Sequence, residues 1–422
     1  WKFNFTGLMK MRFLFPLLAL GVTLSLAEKI RFDNYKVYRL IPNDEETLDI
    51  LKQMENTDQL SEYNFWSPVI KVETPVDLMV PPYRVDYIES MAKSRGMNAS
   101  VLMENVQKYI DNEGLRPQAR AGSFGWTSYH TYDEYNSFLR SLATNYPDTV
   151  TLIRGGYSFE GREILGVLVS FSPANQNNAV FLESLIHARE WITGAVSTYI
   201  LNEILTSTDP EFRRFAERYD WYVFPVFNPD GYVFTHTTNR MWRKTRVPYG
   251  GSCFGADPNR NWGYFWNSGG SSALPCSETY HGPSAFSETS TKTLSDFISI
   301  IAHRFVAYIS FHSFSQLLLL PYGHTAAHLD NYNVTYPIGL KAAESLARRY
   351  GTRYVVGNIV ETIYVASGGS MDWVKGTFGT PLAYTYELRD TGVFGFLLPA
   401  EQIISTALET LDSLITILNE YE

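Results

Sequence analysis

Cysteine is nearly absent from this sequence, which has only two among 422 residues. A disulfide-rich scaffold is therefore excluded, and a chain of this length can bury a sizeable core without one. No low-complexity tract or internal repeat occurs, so the composition is that of a globular protein. The net charge of −9 and the lack of any basic cluster argue against a nucleic-acid partner.

Long apolar runs are also missing, except for one near the N-terminus. Lys10 and Arg12 precede an apolar run over about residues 13–26, and Ser25 and Ala27 have the spacing that signal peptidase prefers. We therefore expect a signal peptide at 9–27 and a secreted, extracellular protein. A membrane anchor is the alternative, although the run is short for a membrane span.

Histidine is absent from the N-terminal region, and all eight histidines lie from His130 onward. Residues 28–120 contain strand-like and helix-like runs that predict a small α+β domain. The strand-like runs are "NYKVYRLIP" and "VIKVETPVDLMV", and the helix-like runs are "DEETLDILKQME", "VDYIESMAKSRG" and "ENVQKYIDNEG". The polar segment "LRPQARAGSFGW" follows, which predicts an exposed linker that a trypsin-like protease cuts after Arg120. An uncut linker is the alternative.

The remaining residues, 121–422, alternate between strand-like and helix-like runs. This pattern predicts an α/β fold with a mixed, mostly parallel twisted sheet flanked by helices. In such folds, functional sites lie at the carboxyl ends of the strands. The two cysteines of this region, Cys253 and Cys276, predict one disulfide in a secreted chain, with free thiols as the alternative. Asn98 and Asn333 are candidate glycan sites, and the sequence does not decide whether they are used.

Ionisable residues directly follow one apolar run, Ala179–Leu182. His187 and Glu190 are three positions apart, a spacing that at the start of a helix points both side chains to one side. Zinc accepts imidazole nitrogen and carboxylate oxygen, and His312 at the end of "FVAYISFHS" is a candidate second imidazole. Asp257 is a candidate acceptor for the other ring N–H of a ligand histidine. An isolated HxxE is common by chance, and a lone histidine at a strand end is more often structural.

Six motifs occur in a fixed order along residues 121–422: "IHAREWI", "NRMWRKTR", "DPNRNW", "HSFSQLLLLPYG", "IYVASGGSMDW" and "YELRDTGVFGFLLPA". Together they resemble the secreted zinc metallocarboxypeptidases of the pancreatic carboxypeptidase A/B family. Residues 28–120 resemble, more weakly, the ferredoxin-like activation propeptide of that family. The resemblance implies an A-type proenzyme that binds one Zn²⁺ per chain and, once activated, releases single C-terminal amino acids.

The resemblance also implies a role for each motif residue. The zinc ligands would be His187, Glu190 and His312, with Asp257 orienting a ligand histidine. Glu387 would act as general base. The oxyanion would be stabilised by Arg243. The substrate-binding residues would be Arg189, Arg240, Asn259, Arg260 and Tyr364, of which the last three would hold the terminal carboxylate, and Cys253 and Cys276 match the family's disulfide.

The specificity pocket of this family includes the motif "GGSxDW", in which members that remove basic residues carry an acid. Met371 stands at that position here. Because an apolar pocket cannot readily bury a Lys or Arg head group, we expect aromatic and large aliphatic C-terminal residues to be preferred. Methionine is flexible, so the choice among apolar residues stays open. By the same matching, the pocket walls would be Ser310, Leu319, Gly323, Ile359, Ile363, Ala366, Gly369 and Thr385.

The expected partners are peptide and protein C-termini as substrates, a trypsin-like activating protease and protein inhibitors of carboxypeptidases. We expect no nucleic-acid or membrane partner, a monomer and a digestive role. One rival is a catalytically inactive binding protein on the same scaffold, although no ligand, base or carboxylate-binding residue is missing. Another rival is a carboxypeptidase that prefers basic or acidic C-terminal residues.

Overall fold

The structure of the protein is a computed structural model that describes residue 1 and residues 29–57, 63–113, 124–172 and 177–421. The expected signal peptide, the Arg120 cleavage site and the boundaries between the expected domains lie outside the described residues. The described parts form two sheets, one of four strands and one of eight. This confirms the predicted fold class, a larger α/β domain preceded by a small α+β domain.

The small domain, here called the propeptide domain, has an antiparallel sheet in the order β2-β3-β1-β4. Apolar residues on one face of this sheet pack against α1 and α2 and form a core of their own, including Leu40, Leu48, Leu78 and Ile88. Its elements are β1 (Lys36–Ile41), α1 (Glu45–Thr57), β2 (Asn64–Phe65), β3 (Val76–Val80), α2 (Val85–Ser94), β4 (Asn98–Met103) and α3 (Val106–Glu113).

The strand predicted for "VIKVETPVDLMV" is wrong in its first half. Only Val76–Val80 forms a strand, and residues 66–75 form an irregular loop that we call the capping loop. Glu73 has φ 64°, in the left-handed region that interrupts an extended strand. Strand-like composition therefore did not ensure a strand here.

The large domain contains the eight-stranded mixed sheet in the order β11-β10-β12-β9-β7-β8-β6-β5. Parallel pairs join β10 with β11, β12 with β9, β9 with β7, and β7 with β8, and the other pairs are antiparallel. The strands are β5 (Val150–Tyr157), β6 (Glu163–Val169), β7 (Ala179–Glu183), β8 (Asp220–Phe224), β9 (Phe305–Ser313), β10 (Leu317–Leu320), β11 (Val355–Asn358) and β12 (Leu382–Leu388).

Helices cover both faces of the large sheet. Val180 and Leu182 of β7 belong to one core cluster, whereas Ala179 and Phe181 belong to the other. A strand buried on both faces has a continuous apolar sequence rather than an alternating one, as β7 has. The helices are α4 (Tyr132–Asn145), α5 (Trp191–Thr206), α6 (Pro210–Ala216), α7 (Pro229–Thr237), α8 (Thr289–Ile301), α9 (Tyr332–Tyr350), α10 (Ile359–Thr362), α11 (Ser370–Phe378) and α12 (Ile403–Tyr421).

Three adjacent parallel strands, β7, β9 and β12, place the site. Their carboxyl ends lie at the same edge of the sheet, where ligands bind in open α/β sheets. In the register of these strands, Glu387 lies opposite His312 and Glu183 lies opposite Ser310. The sheet therefore brings together residues that are far apart in the sequence.

The predicted disulfide between Cys253 and Cys276 is present. In the part of the chain that the structure describes, every helix is too short or too polar to span a bilayer.

Candidate active site

His187 and Glu190 lie in the connection between β7 and α5. The strand ends at Glu183 and the helix begins at Trp191, so the prediction that both residues start a helix is wrong by a few positions. The connection still turns the two side chains toward each other, with His187 Nδ1 2.8 Å from Glu190 Oε1. Both side chains are buried, at 4% and 3% exposure.

His312, near the end of β9, completes a compact group with these two residues. Its Nδ1 lies 3.1 Å from His187 Nδ1 and 3.2 Å from Glu190 Oε2. The two facing ring nitrogens and the carboxylate beside them have more lone pairs than hydrogens to share, so they repel one another. A bound cation would remove this repulsion. The donor atoms lie within 4.8 Å of one another, and two imidazoles with one carboxylate form a donor set that suits catalytic zinc.

Charge coupling within this group is strong. Burial by itself would raise the pKa of Glu190, but the neighbouring rings of His187 and His312 hold that pKa well below its usual range. Burial opposes protonation of His312, yet the Glu190 carboxylate raises the pKa of this imidazole. The group is therefore suited to hold positive charge next to Glu190.

Asp257 lies behind this group and is fully buried. His187 Nε2 lies 3.1 Å from one of its carboxylate oxygens, which orients the ring so that Nδ1 faces Glu190. Arg243 Nη2 donates to the other oxygen at 2.7 Å. Although burial favours the neutral acid, Arg243 and His187 hold the pKa of Asp257 well below its usual range.

Glu387 of β12 borders the same cavity as the three grouped residues. Burial raises the pKa of Glu387 above its usual range, partly opposed by His312. A carboxylate that binds a proton more readily than usual is suited to general acid–base chemistry near neutral pH.

Asn259, Arg260 and Tyr364 also border this cavity. Arg260 Nη2 donates to the Tyr364 hydroxyl at 3.5 Å, and its Nε and Nη1 donate to the backbone oxygens of Gly270 and Asn259. Asn259 Oδ1 accepts a hydrogen bond from Ser370 N at 3.0 Å. The backbone bonds fix the plane of the guanidinium, so that a carboxylate can approach it in a defined orientation.

The cavity has a volume of about 390 Å³. Met371 and most of the expected wall residues border it, but Ser310 and Gly323 are not among its described lining residues. Ser310 is buried behind the wall, with its hydroxyl bonded to Glu183. The expected residues that line the cavity are Leu319, Ile359, Ile363, Ala366, Gly369, Met371 and Thr385.

The propeptide domain covers the mouth of this cavity. Trp66 contacts the rings of Phe314 and Phe396, with centroids 6.3 and 5.3 Å apart. The motif analysis missed Trp66, although it is the only tryptophan in residues 28–120. The propeptide residues that border the cavity all lie in the capping loop and are Trp66, Ser67, Pro68, Ile70, Lys71, Thr74 and Pro75.

Arg189 and Arg240 lie beneath the propeptide domain and are not among the residues that line the cavity. Arg189 Nη1 donates to Asn64 Oδ1 at 3.0 Å. Arg240 forms a two-bond ion pair with Glu113, at 2.7 and 2.8 Å, and both side chains are at most 3% exposed. Sequence reasoning also missed Glu113, because nothing in its local pattern distinguishes it from a surface helix residue.

The comparisons with known proteins agree with this geometry. The zinc carboxypeptidase family matches residues 135–413, and the carboxypeptidase activation peptide matches residues 38–113. The chain therefore belongs to the zinc carboxypeptidase family: it is a metallocarboxypeptidase, a peptide hydrolase whose cofactor is zinc. Its activation peptide and its A-type relatives define it further as the zymogen of an A-type carboxypeptidase.

Three relatives illustrate the match. The chain is 45% identical over 410 residues to zinc carboxypeptidase A 1 of Anopheles gambiae, covering 96% of this chain and 93% of that protein. Carboxypeptidase A from Helicoverpa armigera has a crystal structure with TM-score 0.83 and 30% identity, covering 93% of this chain and 98% of that one. Bovine thrombin-activatable fibrinolysis inhibitor, solved with tick carboxypeptidase inhibitor, gives TM-score 0.66 and 33% identity over 70% of this chain and 97% of that one.

Proposed function

We propose that this protein is a secreted digestive proenzyme that, after a cut at Arg120, removes aromatic and large aliphatic C-terminal residues. One observation carries the proposal: a single cavity brings together the His187, Glu190 and His312 group, the Glu387 carboxylate and the Arg260 guanidinium beside an apolar pocket. An arginine held in a fixed orientation in the same cavity as a hydrolytic centre suits recognition of a free peptide C-terminus.

The zinc ion would be held by His187, Glu190 and His312. When bound, the metal supplies a Lewis acid that polarises the scissile carbonyl and makes water a stronger nucleophile. Asp257 accepts the other ring N–H of His187 and so keeps that ring in the ligating orientation.

Glu387 takes a proton from the attacking water and passes it to the leaving amine. Its raised pKa suits both roles, since the carboxylate must bind the proton and then release it. Arg243 stabilises the negative charge that develops on the carbonyl oxygen, and its bond to Asp257 holds it in position beforehand.

Arg260, Asn259 and Tyr364 bind the terminal carboxylate of the substrate. An internal peptide segment has no such anion, so this contact restricts hydrolysis to the last peptide bond. Met371 and its apolar neighbours receive the side chain of the departing residue, and a charged C-terminal residue would be buried there without a counter-charge.

The propeptide domain, expected at 28–120, blocks the cavity until a trypsin-like protease cuts after Arg120 and frees the mature domain at 121–422. The Trp66 contacts and the Glu113–Arg240 ion pair support the block. Once the chain is cut, the propeptide loses the effective concentration that the covalent link provides. The signal peptide at 9–27 would direct secretion. Arg189 and Arg240, once uncovered, extend the substrate groove.

The mature enzyme is expected to act as a monomer on peptide and protein C-termini. Protein inhibitors are expected partners, since bovine thrombin-activatable fibrinolysis inhibitor was solved with a tick carboxypeptidase inhibitor.

The test is to treat the purified protein with trypsin and assay blocked dipeptides that end in Phe, Leu, Arg or Glu, with and without a zinc chelator. We expect chelator-sensitive release of Phe and Leu that appears only after cleavage. Release mainly of Arg or Glu would overturn the specificity, and full activity before cleavage would overturn the block. Release of no residue by the cut protein would overturn the proposed activity.

A further inference from the structure

A buried carboxylate that the proposed mechanism does not use lies behind the specificity pocket. Glu183 is the last residue of β7 and is fully buried. Its Oε1 accepts hydrogen bonds from two serine hydroxyls, Ser310 at 2.7 Å and Ser370 at 2.6 Å. Burying a carboxylate costs free energy that two neutral donors offset only in part, so its presence here calls for a role.

The two serines belong to different elements of the fold. Ser310 lies on β9, opposite Glu183 in the parallel register, so this bond joins two strands that the sheet already joins. Ser370 is the first residue of α11, and no strand pairing holds this helix in place. Glu183 therefore supplies a specific tie between the sheet and the start of α11.

The start of α11 carries Met371 and donates a hydrogen bond to Asn259, and both of these residues contact the substrate in the proposed function. Ser370 N donates to Asn259 Oδ1 at 3.0 Å, and Asn259 borders the cavity beside Arg260. The next residue, Met371, borders the pocket, where its sulfur accepts a bond from Thr385 Oγ1 at 3.4 Å. Any shift of Ser370 would move the apolar floor of the pocket together with the amide that faces the carboxylate site.

The other oxygen, Glu183 Oε2, has no hydrogen-bond partner among the described residues, and neither has the buried Tyr308 hydroxyl. The two groups are neighbours, since burial first and then the Glu183 charge raise the pKa of Tyr308 well above its usual range. The polar group behind the pocket thus includes the Tyr308 hydroxyl beside Glu183 and Ser370. Within this group, the bond from Ser370 to Glu183 at 2.6 Å connects the start of α11 to the sheet.

We propose that Glu183 is a positioning residue that sets which C-terminal side chains the pocket accepts, by holding Ser370 and therefore Met371 in place. This inference rests on the proposed function. Holding Ser370 depends on the length of the Glu183 side chain, which lets one oxygen reach both serines, rather than on its charge. The pocket becomes looser when the tie is lost, while the zinc group and Glu387 stay in place.

The test compares Glu183→Asp with Glu183→Gln in the trypsin-activated full-length protein. Aspartate keeps the charge but is one methylene shorter, so it cannot reach both serines, whereas glutamine keeps the length and an acceptor oxygen. The readout is the ratio of kcat/KM for blocked dipeptides ending in Phe and in Val. We expect Glu183→Asp to change this ratio about fivefold or more, mainly through KM, because pocket discrimination of that size follows from small changes of fit. Glu183→Gln should leave the ratio within about twofold of wild type.

Ser370→Ala and Ser310→Ala are the matched controls, since each removes one hydroxyl from the same carboxylate. Ser370→Ala should reproduce the change of ratio, and adding it to Glu183→Asp should give little further change, because both remove one interaction. Ser310→Ala should leave the ratio unchanged. Zinc content and the unfolding temperature of each variant show whether the site and the fold persist.

An unchanged ratio in Glu183→Asp or in Ser370→Ala would overturn the proposal, as would an equal change in Glu183→Gln. If Glu183→Asp does not fold, Ser370→Ala decides the question alone. Failure of the proposed function is distinguishable, because the wild-type protein would then release neither Phe nor Val after cleavage.

Discussion

In the propeptide domain two buried carboxylates, Asp77 and Glu113, lie at the contact with the neighbouring domain, whereas in the catalytic domain buried acids and bases converge on one cavity. Glu113 bonds Arg240 across the interface, and Asp77 bonds Arg39, which also donates to the backbone oxygen of Thr391 in the catalytic domain. By contrast, His187, Glu190 and Asp257 bond within their own domain. An apolar core stabilises each domain, so buried charge is placed where binding or chemistry needs it. In the proposed function this difference separates inhibition from catalysis, and the following four experiments test that separation.

The largest effect should come from the catalytic side. Replacement Glu387→Gln removes the general base and should lower kcat about 10²- to 10⁴-fold, with KM changed little. The measurement is steady-state hydrolysis of a blocked dipeptide ending in Phe after trypsin activation. Glu344→Gln, on the exposed face of α9, is the control and should retain full activity. Turnover that survives in Glu387→Gln would assign the base to another residue.

The next effect should come from the interface. Replacement Glu113→Ala leaves Arg240 buried without its partner, and breaking a buried pair in this way costs about 3–5 kcal/mol. The separated propeptide should therefore inhibit the mature enzyme about 10²- to 10⁴-fold less tightly. The readout is the inhibition constant of the propeptide, with Glu104→Ala, whose side chain is 73% exposed, as control. An unchanged inhibition constant for the Glu113→Ala propeptide would place the inhibitory contact in the capping loop alone. Neither propeptide variant should alter kcat of the mature enzyme, because both substitutions lie in the propeptide.

Specificity for a free C-terminus should depend on the shape of the Arg260 side chain. Replacement Arg260→Lys keeps the charge but loses the planar fork, and weakening a buried charged contact in this way should lower kcat/KM about 30-fold. Dipeptides with an amidated C-terminus provide the control, since they lack the carboxylate and should be poor substrates for both proteins to the same degree. If the variant and the wild type differ equally on both kinds of substrate, Arg260 does not bind the carboxylate.

The smallest effect should be a pH dependence confined to the propeptide domain. Burial raises the pKa of Glu55 to about 7, with a hydrogen bond from the Val69 backbone opposing the shift. Because the pKa of Glu55 is higher in the folded domain than in the unfolded chain, the protonated form of Glu55 stabilises the fold. This contribution to the free energy of unfolding is fully present below pH about 4.5 and is lost as the pH rises through about 7. The thermal transition of the propeptide domain should therefore fall by several degrees between pH about 6 and about 8. Glu55→Gln should remove this fall in the transition temperature, whereas Glu45→Gln, at an exposed position, should preserve it. If both variants show the same fall, a group other than Glu55 causes the pH dependence.

Much of the architecture follows from local sequence patterns. The strands β7 and β9 were predicted from their continuous apolar sequences, and the helices α1 and α2 from their helical periodicity. The strands β2, β4, β10 and β11 were missed. β4 is mostly exposed, and β2, β10 and β11 are at most four residues long, so none of them shows a clear period. Such strands exist because neighbouring strands supply hydrogen-bond partners.

The sequence by itself determined the chemistry: two histidines, three acids and several arginines in motifs whose order identifies the family. Tertiary structure decided the geometry. Only the parallel register of β7, β9 and β12 shows that Glu387 faces His312, and only the domain contact shows that Arg240 pairs with Glu113 rather than lining the cavity. The physical reason is that periodicity reports which face of an element is buried, whereas the partner of a buried charge is set by elements distant along the chain. Glu183, whose local sequence resembles any strand end, acquires its ties to Ser310 and Ser370 only in the folded protein.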